Sequence, residues 1–468
     1  MSEGGGRGVK AWVLVLTAIA SFMAALDTMV VTTALGRIRL DLGASMEALE
    51  WTANAYNLSF AVLLLTGAAL GDRYGRRRMF AAGLGLFVVA SAGCALSGTI
   101  GWLIAARALQ GAGAALLMPL AMALLSNAFP REERARALGL FSGITGLALI
   151  AGPVVGGGVA EGLAWQWIFW INVPIGLAIM PLVLRRIPES AGTDAALDIP
   201  GLALVTGAAL ALVWGLMRGN GAGWASTEVV GALAAGCLLT AGFVIWERQA
   251  GQPMVPLRFF RVPAFSSAIA ASFFFYAAMY GVLFFIPQFL QTAQGHGPLA
   301  AGLRLLPWTA TLFVFAPIGG NLAGRLGERP LVVIGLLMQA LGMAWLAVIA
   351  TPAAAYAGLV LPMIIAGAGV SMAMPAAQNA IMSSVAPPEI GKASGTFNMV
   401  RFLGGAFGIA VLVAVFAGSG SVATAEDFSV GFRQVLAISA LLSFLGAVAG
   451  LQLPGRRAPA LVQAKAKA

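Results

Sequence analysis

The sequence predicts an all-α polytopic membrane protein. The chain has 468 residues, of which 60% are hydrophobic and only 10% are charged, whereas charged residues make up about 25% of an ordinary soluble domain. Its apolar residues form fourteen stretches of membrane length, since a spanning helix needs roughly 20 of them. No hydrophilic stretch between them is long enough for a separate soluble domain.

We therefore predict fourteen transmembrane helices, an even number that leaves both termini on one side of the membrane. The interruptions between them are short and carry Gly, Pro or Arg. The predicted helices cover residues 11–35, 51–71, 79–98, 101–127, 138–160, 167–187, 200–217, 228–246, 264–290, 300–323, 330–350, 355–380, 392–417 and 431–453.

Positive charges are distributed unevenly between the two sides. If the N-terminus is cytoplasmic, 21 of the 28 Lys and Arg residues lie on that side and five on the other, and Arg107 and Arg401 lie within spans. Because cytoplasmic loops carry the excess of Lys and Arg, this asymmetry predicts both termini in the cytoplasm. We attribute the net charge of +10 to topology and expect no nucleic-acid partner.

Metal, disulfide and cleavable-signal features are not indicated. Cys94 and Cys237 lie in apolar segments and His296 is the single histidine, so neither a metal site nor a disulfide framework is expected. The first apolar segment exceeds the core of a signal peptide, which is about 7 to 15 residues. We predict that this segment stays in the protein as a helix, and that the protein uses no cofactor.

Two sequence patterns recur eight helices apart. LGDRYGRR at 70–77 matches LAGRLGER at 322–329, and GAGAALLMP at 111–119 matches GAGVSMAMP at 367–375. A chance match between Gly-rich helices is the alternative, but it does not explain the recurrence of Met-Pro in register. Many transporters are built from repeats that hold the substrate between them near the bilayer midplane.

The repeats predict four parts of the chain. Residues 1–190 and 251–455 each form a six-helix bundle, residues 191–250 supply two inserted transmembrane helices, and residues 456–468 form a cytoplasmic tail. We expect a monomer, since one chain contains both bundles.

One carboxylate, Asp27, lies in the interior of the predicted spans. A charge at bilayer depth costs at least about 2.5 to 3.5 kcal/mol and by default marks a substrate, ion or proton site. Arg107 is its expected partner, because the two residues lie about 12 and 9 Å below the outer surface at 1.5 Å per residue. A nearby guanidinium changes the proton affinity of a carboxylate, so movement of Arg107 is expected to switch proton binding at Asp27.

A static clasp between two helices is the alternative role for this pair, since a buried ion pair is weak evidence for stability. The repeat argues against it. The position that corresponds to Arg107 in the second bundle is Met363, and helix 9 carries no acid. If the fold needed these charges for a structural role common to both bundles, the second bundle would carry them too.

Six motifs occur together along nearly the whole chain. They are LDTMVVTTAL in helix 1, LGDRYGRRR between helices 2 and 3, RALQGAGAALLMP in helix 4, AGPVVGG in helix 5, WQWIFWINVPIG after it and NMVRFLGGAFGIA in helix 13. Together they resemble the major facilitator superfamily, specifically its fourteen-helix drug:proton antiporter branch. The resemblance implies the major facilitator fold. Met29, Thr32 and Gly36 depart from the branch pattern in helix 1, whereas Asp27 is retained.

The resemblance implies that Asp72, in the loop after helix 2, makes contacts between the bundles that stabilise the outward-facing state. Its partners are expected to be the loop arginines, or Glu132 and Glu133 of the loop between helices 4 and 5. A simple topological loop, anchored by the positive-inside bias, is the alternative. Gly75 permits the tight turn. The remaining loop residues assigned to this motif are Arg73, Arg76 and Arg77.

AGPVVGG combines small residues with a proline. Small residues let helices approach closely, and proline frees a backbone group that must find another partner. Generic close packing is one interpretation, and the resemblance favours control of conformation by a bend or hinge in helix 5. The residues assigned to this role are Gly152, Pro153, Gly156 and Gly157.

The predicted function is proton-coupled export by alternating access. Asp27 takes up a proton and releases substrate when the site faces outward, and loses the proton and admits substrate when it faces the cytoplasm. One proton moving down about 100 mV supplies about 2.3 kcal/mol. Because one carboxylate carries at most one charge, lipophilic monocations or neutral compounds are the expected substrates.

Aromatic rings and amides within the helices are candidates for the substrate cavity. An aromatic face binds a cation with about 0.5 to 2 kcal/mol. The candidate residues are Asn54, Asn57, Gln110, Tyr276, Tyr280, Gln288, Gln378, Asn398 and Arg401.

Three other functions remain open from the sequence. A dedicated exporter of one endogenous metabolite or antibiotic would use the same motifs. A nutrient symporter is disfavoured by AGPVVGG and by the fourteen-helix layout. A membrane enzyme or receptor is disfavoured because no metal cluster, phosphate loop, nucleophile triad or signalling domain is visible.

Overall fold

The computed structural model describes residues 3–191, 198–251, 253–386 and 389–455. Within these ranges the side chains of several residues are not described, among them Glu132 and Arg325. The predicted tail, residues 456–468, lies outside the described residues, so no structure bears on it.

Fourteen helices in the described part are long and apolar enough to cross a membrane, which confirms the predicted fold class and number of spans. A short 3-10 helix, Leu257–Arg261, precedes the ninth, and the tenth consists of three pieces. The helices are α1 Glu3–Leu42, α2 Met46–Tyr74, α3 Arg76–Ala95, α4 Ile100–Ala128, α5 Arg131–Gly162, α6 Trp167–Arg186, α7 Ile199–Ala222, α8 Thr227–Gln249, α9 Pro263–Ala293, α10 Pro298–Arg304 with Leu306–Thr309 and Thr311–Leu326, α11 Glu328–Ile349, α12 Tyr356–Ser383, α13 Ile390–Ser419 and α14 Ala425–Leu451.

Local sequence sets several helix ends. The Ser45 hydroxyl accepts a hydrogen bond from Ala48 N at 3.2 Å and caps α2, and the Thr99 hydroxyl caps α4 through Trp102 N. Such side chains satisfy backbone N–H groups that the first helical turn leaves free. The capped start of α2 lies five residues before the predicted one, so the helix includes Glu47 and Glu50.

The helices pack in two groups with extensive contact between them. Among the first six, α2 packs on α4, α3 on α4 and α1 on α5, and among the last six, α9 packs on α13 and α14 and α11 on α12. Between the groups, α2 contacts α13 and α5 contacts α10. The helices α7 and α8, which lie between the two groups in the sequence, pair with each other, and α7 also contacts α2 and α13.

Two glycines that the repeat relates make the same close contact in each half. A Cβ atom added to Gly111 of α4 would lie 2.4 Å from the carbonyl oxygen of Tyr56, and one added to Gly367 of α12 would lie 2.4 Å from that of Trp308. Tyr56 and Trp308 are separated by 252 residues, the same offset as the repeated Arg-rich loops. The division at residues 190 and 250 stays a prediction, but these contacts support it.

A second pair of glycines repeats this behaviour. A Cβ atom on Gly113 would lie 2.9 Å from Gly83 O, and one on Gly369 would lie 2.2 Å from Gly335 O. The turns that precede α3 and α11 also match, since Gly75 and Gly327 have φ angles of 102° and 83°, which favour glycine.

We expect Gly113→Ala to lower the thermal unfolding midpoint of the detergent-solubilised protein. The new Cβ would lie 2.7 Å from Phe87 N, and separating two packed helices costs about 1–3 kcal/mol. Gly101→Ala is the matched control in the same helix, because nothing lies within 4 Å of its added Cβ. Equal midpoints for the two variants would contradict the close packing of α3 on α4.

Candidate functional site

A buried ion pair joins α1 and α4. Arg107 Nη1 donates to Asp27 Oδ2, and the two side chains are only 2% and 1% exposed. Two charges removed from water in this way repay their desolvation only when further hydrogen bonds satisfy their remaining atoms. The surroundings of this pair supply such bonds.

Both carboxylate oxygens of Asp27 have donors. Gln110 Nε2 donates to Oδ1 at 2.8 Å, and Asn172 Nδ2 of α6 donates to the same oxygen at 3.2 Å. Arg107 in turn donates from Nε to the carbonyl oxygen of Thr52 in α2 at 3.2 Å. The pair therefore connects α1, α2, α4 and α6.

A second layer of side chains positions these donors. The Ser91 hydroxyl oxygen of α3 accepts from Gln110 Nε2 at 2.8 Å and from Asn172 Nδ2 at 3.4 Å. The Arg107 guanidinium lies 4.4 Å from the ring centre of Tyr56, within the range of a cation–π contact.

Sequence reasoning missed Ser91 and Asn172 as members of the site. A polar side chain in an apolar span was the available signal, and Asn172 lies inside the quoted motif WQWIFWINVPIG. Gln110 was predicted to line the substrate cavity, and the structure instead places it on Asp27.

The AGPVVGG segment of α5 packs against a different helix on each of two sides. A Cβ on Gly156 would lie 2.6 Å from Val30 O of α1, and one on Gly157 would lie 2.4 Å from Pro298 O of α10. The adjacent glycines thus let one helix touch the helix that carries Asp27 and a helix of the other half.

The remaining motif residues extend the same two contacts. A Cβ on Gly152 would lie 2.3 Å from the Met29 Cβ, and one on Gly302 of α10 would lie 2.1 Å from Pro153 O. Along this motif, α5 therefore packs against α1 and α10 too closely for side chains larger than those present.

Hydrogen bonds also join the two halves at the end of the molecule opposite the Arg-rich loop of residues 72–78, which we call the distal end. Leu299 N of α10 donates to Glu161 Oε2 of α5 at 2.9 Å, and Gln291 Nε2 of α9 donates to Thr33 O of α1 at 2.9 Å. The distal end is therefore closed by backbone contacts and by hydrogen bonds.

A small cavity lies between the halves beside the ion pair. Its polar lining consists of Thr28, Thr32, Asn57, Arg107 and Tyr280, and its other walls are apolar side chains of α1, α2, α9 and α13. Its volume is about 20 Å³, whereas pockets for drug-sized ligands measure about 300–1,000 Å³. The described conformation therefore holds no drug-sized space at this place.

Arg401 of α13 forms a second charged cluster. One of its terminal nitrogens donates to the Tyr280 hydroxyl at 3.4 Å, and its guanidinium lies 5.1 and 5.3 Å from the ring centres of Tyr276 and Phe402. Within the described residues, no carboxylate lies at ion-pair distance from Arg401, and its buried Nε has no hydrogen-bond partner.

The other predicted cavity residues are scattered. Gln288 Nε2 and Asn398 Nδ2 donate to backbone oxygens of their own helices, and Gln378 is half-buried in α12. Asn54 is fully buried and donates to Glu50 Oε1 at 3.3 Å. In the described structure none of these four lines the small cavity.

The prediction that Asp27 is the single carboxylate within a span is wrong. α2 begins at Met46 and α8 ends at Gln249, so Glu50 and Glu247 also lie inside membrane-length helices. Both are buried, at 0% and 3% exposure. The predicted spans ended before these residues because each carboxylate lies at the edge of an apolar stretch.

Asp72 lies in the last turn of α2, where the Arg-rich loop begins, and accepts from Arg76 Nε at 2.8 Å. Arg77 N donates to Glu189 Oε1 at 2.9 Å, and Arg77 Nη1 donates to Leu184 O. The hydrogen bonds and ion pairs described for residues 72–78 have their partners within residues 1–190, and Glu133 pairs with Lys10 instead. The role of Asp72 between bundles stays a prediction.

Comparison with protein families decides the identity of the fold. The model of the Major Facilitator Superfamily matches residues 17–409 and again residues 270–468. The chain belongs to the Major Facilitator Superfamily. This membership confirms the predicted family, and it makes the protein a multi-pass membrane transporter.

Solved structures share the fold of this facilitator. A POT family transporter superposes with a TM-score of 0.71 at 14% identity, over 94% of this chain and 95% of that chain. A D-xylose-proton symporter gives 0.68 at 17% identity, over 93% and 96%. At these identities the likeness shows the fold alone.

Three relatives are similar in sequence to this facilitator. The tetracenomycin C resistance and export protein of Streptomyces glaucescens is 35% identical over 87% of this chain and 76% of that protein. The multidrug resistance protein Stp of Mycobacterium tuberculosis is 34% identical over 86% and 75%. The cephamycin export protein CmcT of Amycolatopsis lactamdurans is 35% identical over 94% of each.

We expect Arg107→Met to destabilise this facilitator strongly, because it leaves the Asp27 carboxylate buried without a cation. Removing one partner of a buried ion pair costs about 3–5 kcal/mol. Adding Asp27→Asn removes the uncompensated charge and should restore part of the stability. Unfolding midpoints in detergent test this, and a double variant less stable than Arg107→Met alone would contradict the ion-pair interpretation.

Proposed function

We propose that this facilitator is a proton-coupled antiporter of the bacterial cytoplasmic membrane that exports lipophilic cationic or neutral compounds. The observation that carries the proposal is the buried Asp27–Arg107 pair. Its hydrogen bonds connect four helices, and the matching positions of the other half carry no such pair. The names of the three relatives, which refer to resistance or export, support the direction of transport.

The orientation and domain division belong to the same proposal. Both termini and the Arg-rich loop face the cytoplasm, as the distribution of Lys and Arg favours, so the distal end faces outward. Residues 1–190 and 251–455 act as two bundles that rock against each other, with α7 and α8 carried between them.

The packing of α5 suggests how the charge site is linked to this rocking. Because Gly156 contacts α1 near Asp27 and Gly157 contacts α10, a shift of α1 cannot occur without changing the distal contact between the bundles. Proton exchange at Asp27 alters its attraction to Arg107. A change at the ion pair is in this way transmitted to the contact between the bundles at the distal end.

A dedicated exporter of one endogenous antibiotic is the second candidate. It is favoured by the two relatives named as exporters of tetracenomycin C and of cephamycin. The same proton site would serve both functions, so the two candidates differ in the range of compounds that compete for export.

Asp27→Asn should abolish proton coupling. In inverted vesicles with an acidic interior, adding a transported compound to the wild type should dissipate the proton gradient, because the compound enters as a proton leaves. An amide cannot exchange the proton. Glu426→Gln, which neutralises an exposed carboxylate at the start of α14, should retain the response, and coupled transport by Asp27→Asn would refute the assignment.

Gly157→Ala should slow export by roughly tenfold. Its Cβ would lie 2.4 Å from Pro298 O, and overpacking costs about 1–3 kcal/mol. Closure of the distal end therefore becomes less favourable, and its equilibrium constant falls tenfold for every 1.4 kcal/mol. Gly158→Ala is the matched control, since its Cβ would meet only Leu299 Cδ1 at 3.6 Å. Equal initial export rates for the two variants would exclude this gate.

A further inference from the structure

One face of α2 carries three buried acceptor oxygens without hydrogen-bond partners. They are Glu50 Oε2, Asn54 Oδ1 and Asn57 Oδ1, on residues that are 0%, 0% and 3% exposed. Buried polar atoms are normally hydrogen-bonded, and leaving one unsatisfied costs about 1–3 kcal/mol. Three such oxygens together therefore need an explanation.

The three residues lie on one surface of the helix. Their spacing is i, i+4 and i+7, which places them above one another along α2, and Asn54 Nδ2 donates to Glu50 Oε1 at 3.3 Å. Asn57, at one end of this row, lines the small cavity between the halves. Glu50 lies two turns farther toward the distal end.

The Glu50 carboxylate has no described cationic partner. Arg107 pairs with Asp27, and Arg218 of α7 pairs with Glu228 at 3.0 Å and with Glu47 at 3.6 Å. Glu47, one turn before Glu50, is another acid and does not offset its charge. A carboxylate buried without a cation is costly.

The chemistry of this row defines what would satisfy it. Acceptor oxygens need a donor, and a carboxylate among them favours a donor with positive charge. A protonated amine supplies both, with N–H groups for the oxygens and an alkyl or aromatic body for the apolar cavity walls, which include Leu283 and Phe284. A bare metal ion would instead require oxygen ligands on the sides where these apolar residues lie.

We propose that Glu50, Asn54 and Asn57 form a subsite that binds the protonated amine of an exported compound. The proposal rests on the proposed export function and names a substrate class for it, namely lipophilic organic amines. The subsite is separate from the Asp27–Arg107 pair, so the compound's charge and the transported proton are held by different carboxylates. In the described conformation the subsite is closed, and opening of the cavity admits the amine.

The test compares a charged and an uncharged probe of nearly equal shape. Dansylcadaverine carries a primary amine, and its N-acetyl derivative does not. Binding of each to the purified full-length protein in detergent is measured by dansyl fluorescence. The wild type should bind dansylcadaverine more tightly, and Glu50→Gln should raise its Kd by roughly tenfold, equivalent to about 1.4 kcal/mol, while leaving the Kd of the acetyl derivative unchanged.

Glu47→Gln is the matched control, one turn away on the same helix and 37% exposed. Because solvent screens its charge, it should raise the Kd of dansylcadaverine much less than Glu50→Gln does and leave the Kd of the acetyl derivative unchanged. Asn57→Ala removes one acceptor without touching the carboxylate and should weaken amine binding selectively but less. This variant keeps the test decisive if Glu50→Gln does not fold.

Three results would overturn the subsite. They are equal weakening of both probes by Glu50→Gln and Asn57→Ala, no weakening of either probe, and stabilisation of the wild type but not of Glu50→Gln by Na⁺ without amine. Failure of the export function is distinguishable, because binding needs no proton gradient. In inverted vesicles, Glu50→Gln should still exchange protons for the acetyl derivative, whereas Asp27→Asn should exchange them for neither probe.

Discussion

The buried pair of Asp27 and Arg107 is the constraint around which the first half of the molecule is arranged. Two charges of opposite sign are tolerated in the membrane interior only if each remaining donor and acceptor is satisfied. Thr52, Gln110 and Asn172 supply those bonds from three different places in the sequence. The helices that carry them must keep their relative rotation, because a turn of any one would leave a charge without its hydrogen bond.

The second half has the same helix contacts around apolar residues at the positions that match Arg107 and Gln110. The glycine contacts of α4 recur in α12 with partners at matching positions of the repeat, yet Arg107 and Gln110 correspond to Met363 and Ala366, which are 3% and 0% exposed. Packing architecture and charge are thus separable in this fold. The first half adds a buried ion pair to a helix arrangement that the second half maintains without one at the matching positions.

Sequence alone predicted most of the architecture, since spans follow from apolar length and the repeat from matching glycines. It also placed Arg107 near Asp27, because depth in a helix can be counted from its ends. It missed Glu50, since hydropathy cannot tell where a helix with a charged first turn begins. It also misplaced Gln110 and gave Asn172 no role, because the rotation of each helix depends on its neighbours. Gln288 and Asn398 satisfy their own backbone, an outcome that composition does not reveal.

The helix α8 is subject to a different kind of constraint. Only 11% of the residues in its most hydrophobic 18-residue segment are buried within the protein, against 83% in the corresponding segment of α9. Its main protein neighbour is α7. Lipid chains therefore occupy most of the surface that other helices cover in α9. Its side chains must be apolar but need not pack closely against protein, so substitutions among Leu, Val, Ile and Ala should be tolerated there. The thickness of the bilayer, more than side-chain shape, should set the tilt of this helix.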